Sequence, residues 1–116
     1  MSPRTSSAAA SGAWKRSAPI FAALGDETRL RLVARLCASG PLSIARLTDG
    51  ADVTRQAITK HLHVLAGAGL VRDVRQGRER VWELEPKKLE DARRCLDLIS
   101  AQWDRALDRL RALVEE

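Results

Sequence analysis

Tyrosine is absent and only four of the 116 side chains are aromatic, three Trp and one Phe, so a core built from this chain rests on Leu, Val, Ile and Ala. A chain of this length forms one small core and cannot hold two domains. A further apolar surface buried against a second copy would add what aromatics do not supply. Cysteine is scarce as well. Cys37 and Cys95 are the only two, too few for a disulfide framework and in keeping with a reducing compartment. Long apolar runs are missing: no stretch approaches the roughly 18 residues of a membrane span, and the N-terminus lacks the apolar stretch of a secretory signal. The expectation is a cytoplasmic protein with no membrane partner. Catalytic constellations are missing too. No Ser-His-Asp set, metal triad or phosphate loop occurs, and Gly67-Ala68-Gly69 follows a helical pattern, whereas a dinucleotide-binding loop follows a strand. Neither an enzyme nor a cofactor is expected.

What is present is basic charge, unevenly placed. The net charge is +5. Residues 26–53 balance four Arg against four acids, and the last thirty balance seven against seven, but the stretch from Arg55 to Arg80 sets six basic side chains against Asp73 and Glu79 alone. Residues 1–25 add Arg4, Lys15 and Arg16 against no acid. This concentration suits a surface that meets phosphates; its plain alternative is solvated surface arginine.

The same stretch carries the main motif. In TRQAITKHLHVL, Ile58, Leu62 and Leu65 fall at i, i+4 and i+7, an apolar stripe that leaves Arg55, Gln56, Thr59, Lys60 and His63 outward. Arg and Lys suit guanine edges and phosphates, Gln suits adenine, and Thr suits a base edge or a thymine methyl, so this face can read a major groove. Thr54 is placed to cap the helix and leave its first N–H groups facing a phosphate. Gly67 and Gly69 end the helix. Leu70–Val74 and Val81–Leu84 then read as two strands around Arg75-Gln76-Gly77-Arg78, with Gly77 supplying the positive φ of the tight turn. Arg75, Arg78 and Arg80 cluster at this turn.

Upstream, residues 1–16 are rich in Ser and Ala and read as a flexible arm, with Trp14 as its one large apolar group. A short helix over Ala18–Leu24 is followed by Gly25-Asp26, which breaks and recaps the chain. A second helix with Leu30, Val33, Ala34 and Cys37 on its apolar stripe ends at Gly40-Pro41. On that stripe Cys37 reads as a buried, inert thiol. Ser43 caps a third helix carrying Ile44, Leu47 and Thr48, closed by Gly50, in position to brace the reader across the DNA backbone. Downstream of Pro86, Leu89, Ala92, Leu96, Ile99, Trp103, Ala106, Leu110 and Leu113 recur at alternating steps of three and four. Such a seam is longer than packing on this small domain requires, and a two-fold partner accounts for it.

From about Phe21 to Leu84, the order GDETRLRLVARL, PLSIARL, TRQAITKHLHVLAGAGLV and the hairpin RQGRERVWEL resembles the winged helix-turn-helix of the arsenical-resistance (ArsR) type of bacterial repressor. The resemblance implies a mainly α fold with a small β-hairpin wing, dimeric through the terminal helices. One compact domain would then comprise an arm over 1–16, a winged helix-turn-helix over 17–86 and a dimerisation helix over 87–116. It implies a homodimeric, sequence-specific repressor on a palindromic double-stranded operator, with Thr54, Arg55, Gln56, Thr59, Lys60 and His63 in the reader and Arg75, Arg78 and Arg80 in the wing. The dimer surface would use Leu89, Ala92, Leu96, Ile99, Trp103, Ala106 and Leu110.

Metal control is common in that family, but its ligand positions are empty of ligands here. The family's Cys-x-Cys before the reader falls on Ser43 and Ala45, neither of which binds a soft metal well. The Asp-x-His of the last helix is represented by Asp91-Ala92-Arg93, and no His follows His63. His61 and His63, two apart, project to opposing sides of a helix. No metal is therefore expected, and the effector is open. Members of the resembled family also use one Cys in the second helix and one in the last as a thiol switch, so a redox-responsive repressor using Cys37 and Cys95 is an alternative. The other alternative is a winged-helix module that binds protein. Bidentate polar groups on the reader, where a protein-binding surface would expose aromatics, favour DNA.

Overall fold

The order of elements follows from capping and periodicity, and the computed structural model describes residues 3–115 of the chain, with side chains described from residue 12. It comprises α1 (Pro3–Leu24), α2 (Glu27–Ser39), α3 (Ile44–Thr48), α4 (Arg55–Gly67), β1 (Val71–Gln76), β2 (Glu79–Leu84) and α5 (Pro86–Glu115). Three helices start where a short polar side chain accepts a hydrogen bond from a backbone N–H three residues on: Asp26 from Arg29, Ser43 from Arg46 and Thr54 from Ala57. In α4 the stripe Ile58, Leu62 and Leu65 is fully buried. It meets Leu32 and Leu36 of α2, Leu47 of α3, Leu70 and Ile20 in one apolar cluster.

The hairpin pairs β1 and β2 antiparallel, from Val71 opposite Leu84 to Gln76 opposite Glu79. Its turn is tighter than the four residues the sequence pattern marked, because pairing extends through Gln76 and leaves only Gly77-Arg78 outside the ladder. Gly77 has φ of 64° and no other described residue than glycine has a positive φ, the pattern of a type II′ turn, whose twist matches that of the strands. Leu42 adds a third, one-residue strand that the sequence did not signal. Its N–H donates to the carbonyl of Trp82 at 3.0 Å and its carbonyl accepts from the N–H of Trp82 at 2.8 Å, so β2 lies between β1 and the segment that precedes α3.

Three expectations are corrected. The expected arm over 1–16 is helical from Pro3 onward, and residues 1 and 2 lie outside the described residues. Alanines favour a helix, Pro3 stands at the first helical position where a missing N–H costs nothing, and the last turns pack on α5. Ile20 and Ala23 are buried there, and the buried Ser17 hydroxyl donates to the Asp91 carbonyl at 3.4 Å. In α2 the buried stripe is Leu32 and Leu36, while Leu30, Ala34 and Cys37 are exposed. The helix carries two overlapping apolar stripes, and the one with the larger pair of leucines at i, i+4 wins the core, which leaves the Cys37 thiol facing solvent. Finally, Leu89 and Ala92 of the α5 seam pack into the chain's own core, and Cys95 is buried there too.

Beyond Cys95 the seam is largely bare, with Ala106 half-buried. Leu96, Ile99 and Trp103 are 50%, 43% and 63% exposed, and Leu110 and Leu113 are more exposed still than Ile99. With thirty residues, α5 is about 45 Å long at 1.5 Å per residue, and its second half projects from the body. The radius of gyration is accordingly 18.5 Å, against about 13 Å for a compact chain of this length.

Candidate nucleic-acid interface

The reader is positioned by its cap. The Thr54 hydroxyl accepts from the Ala57 N–H at 3.1 Å, which fixes the first turn of α4 and leaves its remaining free N–H groups at an exposed helix end. Thr54→Ala is expected to cost about 1 kcal/mol of stability and lower the melting temperature by several degrees in a thermal unfolding scan. An unshifted melt would show that the cap does not hold the helix. From this end Arg55, Gln56 and Lys60 project as exposed side chains, with no ion-pair partner among the described residues. Thr59 is partly covered and its hydroxyl donates to the Arg55 carbonyl at 2.9 Å, so its oxygen lone pairs and its methyl group are what it offers a base. His63, one turn further on, is exposed but sits edge-on to Trp82 with ring centroids 5.8 Å apart. It joins the reader to the wing at the far end of the helix from the other four.

His61, on the same helix, faces the other way. Its Nδ1 lies 3.2 Å from Nη1 of Arg29 and 3.9 Å from Oδ2 of Asp26, while Nε of Arg29 donates to the Ala23 carbonyl. Arg29 thus ties the end of α1 and the start of α2 to the reader. The Asp26 carboxyl is held below its ordinary range, chiefly by the Arg29 backbone N–H it accepts, with the charges of His61 and Arg29 adding to this against the opposing effect of desolvation. No local pattern signals this cluster, because Arg29 and His61 lie 32 positions apart.

The wing sorts its arginines by what faces them. Arg72 is opposite Glu83 and binds it at 2.7 Å, and it reaches Glu85 at 3.1 Å; the hydrogen bond to Glu83 and the charges of both acids raise its already high pKa. Its charge is therefore answered within the hairpin. Arg75 and Arg80, by contrast, are directly opposite each other. Like charges in that relation destabilise a ladder, and among the described residues the one carboxylate within ion-pair distance of either is Asp73, 3.9 Å from Arg80, while Glu79, opposite Gln76, pairs with neither. Arg78 sits exposed in the turn itself. Three cations with little internal compensation thus crowd one end of the hairpin, where an external anion would relieve their repulsion.

Comparison with known proteins agrees with this geometry. Residues 24–74 match a family described as a helix-turn-helix domain. An HTH-type transcriptional regulator of Mycobacterium tuberculosis is 41% identical over 93 residues, covering 80% of this chain and 83% of that protein. The solved structure of an ArsR-like transcriptional regulator from Rhodococcus sp. RHA1 superposes with a TM-score of 0.70 at 37% identity, over 88% of this chain and 95% of the other. The chain belongs to the ArsR-type winged helix-turn-helix transcriptional regulators. The arsenical resistance operon repressor of Escherichia coli is 34% identical over 83 residues, 66% of this chain and 71% of that protein.

In this ArsR-type regulator Ser43, Ala45 and Asp91, the residues expected from the sequence at metal-ligand positions, have other surroundings. The Ser43 hydroxyl accepts the Arg46 N–H at 3.2 Å as the cap of α3, and Ala45 is exposed. The Asp91 carboxylate faces Arg94 at 3.9 Å. The two cysteines are free thiols, Cys37 exposed on α2 and Cys95 buried in α5. No helix among the described residues is long and apolar enough to cross a membrane.

Proposed function

We propose that this regulator is a cytoplasmic, non-enzymatic repressor that binds a palindromic operator as a homodimer, with α4 in the major groove and the hairpin on the flanking backbone or minor groove. The observation that carries the reading is the pairing of uncommitted polar side chains on the first turns of α4 with the mutually repelling arginines of the wing. Arg55, Gln56 and Lys60 of the reader and Arg75 and Arg78 of the wing have no ion-pair partner among the described residues. The bare half of α5 supports the dimer: a seam from Leu96 to Leu113 exposed to water is stabilised by a second copy of itself, and two-fold symmetry then presents two readers to successive half-sites.

Titrating the protein against the DNA upstream of its own gene, at several salt concentrations, tests the reading. Specific binding at least 1000-fold tighter than to random DNA, on the order of the usual specificity ratio, is expected. Equal affinity for both would remove sequence-specific repression. The occupations of Ser43, Ala45 and Asp91-Ala92-Arg93 argue against metal control at the family's sites. Zinc, cadmium or arsenite at modest excess is therefore expected to leave operator affinity unchanged, and a reproducible tenfold loss, about 1.4 kcal/mol of coupling, would reverse that conclusion.

A further inference from the structure

The stripe Ile58, Leu62 and Leu65 seats α4 in the core, but apolar burial has no direction of its own and leaves a helix some freedom to roll on its bed. A hydrogen bond has direction. Among the described residues, the one side-chain hydrogen bond between α4 and α2 runs from Nη1 of Arg29 to Nδ1 of His61, at 3.2 Å. Arg29 is itself a fixed donor, since its backbone N–H is bound to Oδ2 of Asp26 at 3.1 Å and its Nε to the Ala23 carbonyl. The roll of α4 is thus referred to the end of α1 and the start of α2. A guanidinium carries N–H donors and no acceptor, so Nδ1 must accept, and the ring that fits this contact is neutral with its proton on Nε2. The His61 side chain is 23% exposed, which opens it to proton exchange with water.

We infer that Arg29 and His61 are positioning residues of the reader, holding α4 in the roll that presents Arg55, Gln56 and Lys60 to base edges only while His61 is neutral. A proton on Nδ1 sets an N–H against the N–H of Arg29 and places a second positive charge beside the first. The other charged group facing the ring is Asp26 of α2, whose Oδ2 is 3.9 Å from Nδ1 and already serves as the cap of α2. Its carboxyl is held below the ordinary range and stays ionised, so a protonated ring changes partner from Arg29 to Asp26. The end of α1 contributes the Ala23 carbonyl. One turn away on α4 stand Ala57, Ile58, Val64 and Leu65, none of them charged. Neither α3 nor β1, also packed on α4, brings a charged side chain into hydrogen-bond or ion-pair contact with the ring among the described residues. The arrangement that reads DNA therefore holds one proton fewer, and acidification opposes it.

The proton-sensitive contact stands without DNA, whereas its effect on the operator rests on the proposed repressor function, and the experiment keeps the two apart. In the free full-length protein, NMR shifts of the His61 ring, the Arg29 Nε–H and the Arg55 and Gln56 amides are followed from about pH 8 to about pH 5.5, where imidazoles titrate. The Arg29 and α4 signals are expected to move with the ring. They are expected to stay still in His61→Asn, whose Oδ1 replaces Nδ1 as acceptor and does not titrate. A ring that titrates while those signals stay still in the unsubstituted protein would overturn the inference. Affinity for the operator and for random DNA is then measured for both proteins over the same range. His63, the only other histidine, is common to both and cancels in the ratio of their affinities. On acidification that ratio, unsubstituted over His61→Asn, is expected to fall about fivefold or more on the operator, the low end of usual coupling. It should stay level on random DNA, which phosphate contacts hold whatever the roll of α4. At the alkaline end His61→Leu, which offers no acceptor, should bind the operator about fivefold or more weakly than His61→Asn. A level ratio on the operator, an equal fall on random DNA, or equal operator affinities for His61→Leu and His61→Asn would overturn the positioning role. A protein whose free-state signals move together but which prefers no operator at any pH would refute the repressor reading and leave the proton-sensitive contact standing.

Discussion

Leu96→Glu or Ile99→Lys is expected to turn the protein into a monomer and to abolish specific DNA binding with little loss of fold. Both side chains are about half exposed in the single chain, so neither substitution opens a cavity or buries a charge within the subunit. In the proposed dimer, however, each new charge would lie close to its own symmetry mate in an apolar seam. That removes about half of the roughly 1.5–3 kcal/mol that fully burying each apolar side chain contributes and adds two unpaired like charges whose desolvation nothing offsets. A monomer holds one half-site at a time and forgoes the effective-concentration gain of a linked reader, about 100-fold or more. Sedimentation should show half the mass, and circular dichroism an unchanged helical content. Ala92 provides the contrast: it is 5% exposed in the chain's own core, so enlarging it should unfold the protein. A Leu96→Glu protein that sediments as an intact dimer would move the interface elsewhere.

Reading and holding should separate by mutation. Gln56→Ala is expected to cost about 1–3 kcal/mol on the cognate operator and almost nothing on random DNA, since a side chain that addresses base edges contributes only where the base is right. Arg78→Ala is expected to weaken binding to both and to flatten the dependence on salt by about one unit, the effect of leaving one phosphate unneutralised. The hairpin supplies its own control. Arg72 is answered by Glu83 and Glu85, so Arg72→Ala should leave the salt slope where it was, although the side chain is on the same strand as Arg75. Equal effects on cognate and random DNA for Gln56→Ala, together with an unchanged slope for Arg78→Ala, would mean that these surfaces do not read DNA in the assigned way.

What was legible in the sequence is what short-range chemistry decides. Ile58, Leu62 and Leu65 repeat at the period of a helix, and all three are buried; Asp26, Ser43 and Thr54 cap the helices they precede; Gly77 takes the left-handed turn. Each of these depends on neighbours within a few residues. The outward set of the reader follows from the same periodicity; what lies beyond it is the edge-on approach of the exposed His63 to Trp82, which requires the hairpin to fold back onto α4.

The rest depended on packing between distant segments, whose energies no local pattern carries. Composition made residues 1–16 an arm, but the last turns of α1 meet α5, and a helix that is marginal alone becomes stable when one face is buried. An unbroken repeat from Leu89 to Leu113 divides into a start buried in the chain's own core, at Leu89 and Ala92, and a largely exposed remainder. Helical spacing put Leu30, Val33, Ala34 and Cys37 on the buried face of α2, but the core took Leu32 and Leu36 instead. Six basic side chains between Arg55 and Arg80 looked equivalent as a count of charge. Strand register alone set Arg72 against Glu83 and Arg75 against Arg80, and so decided which charge is spent inside the protein and which is left for a phosphate.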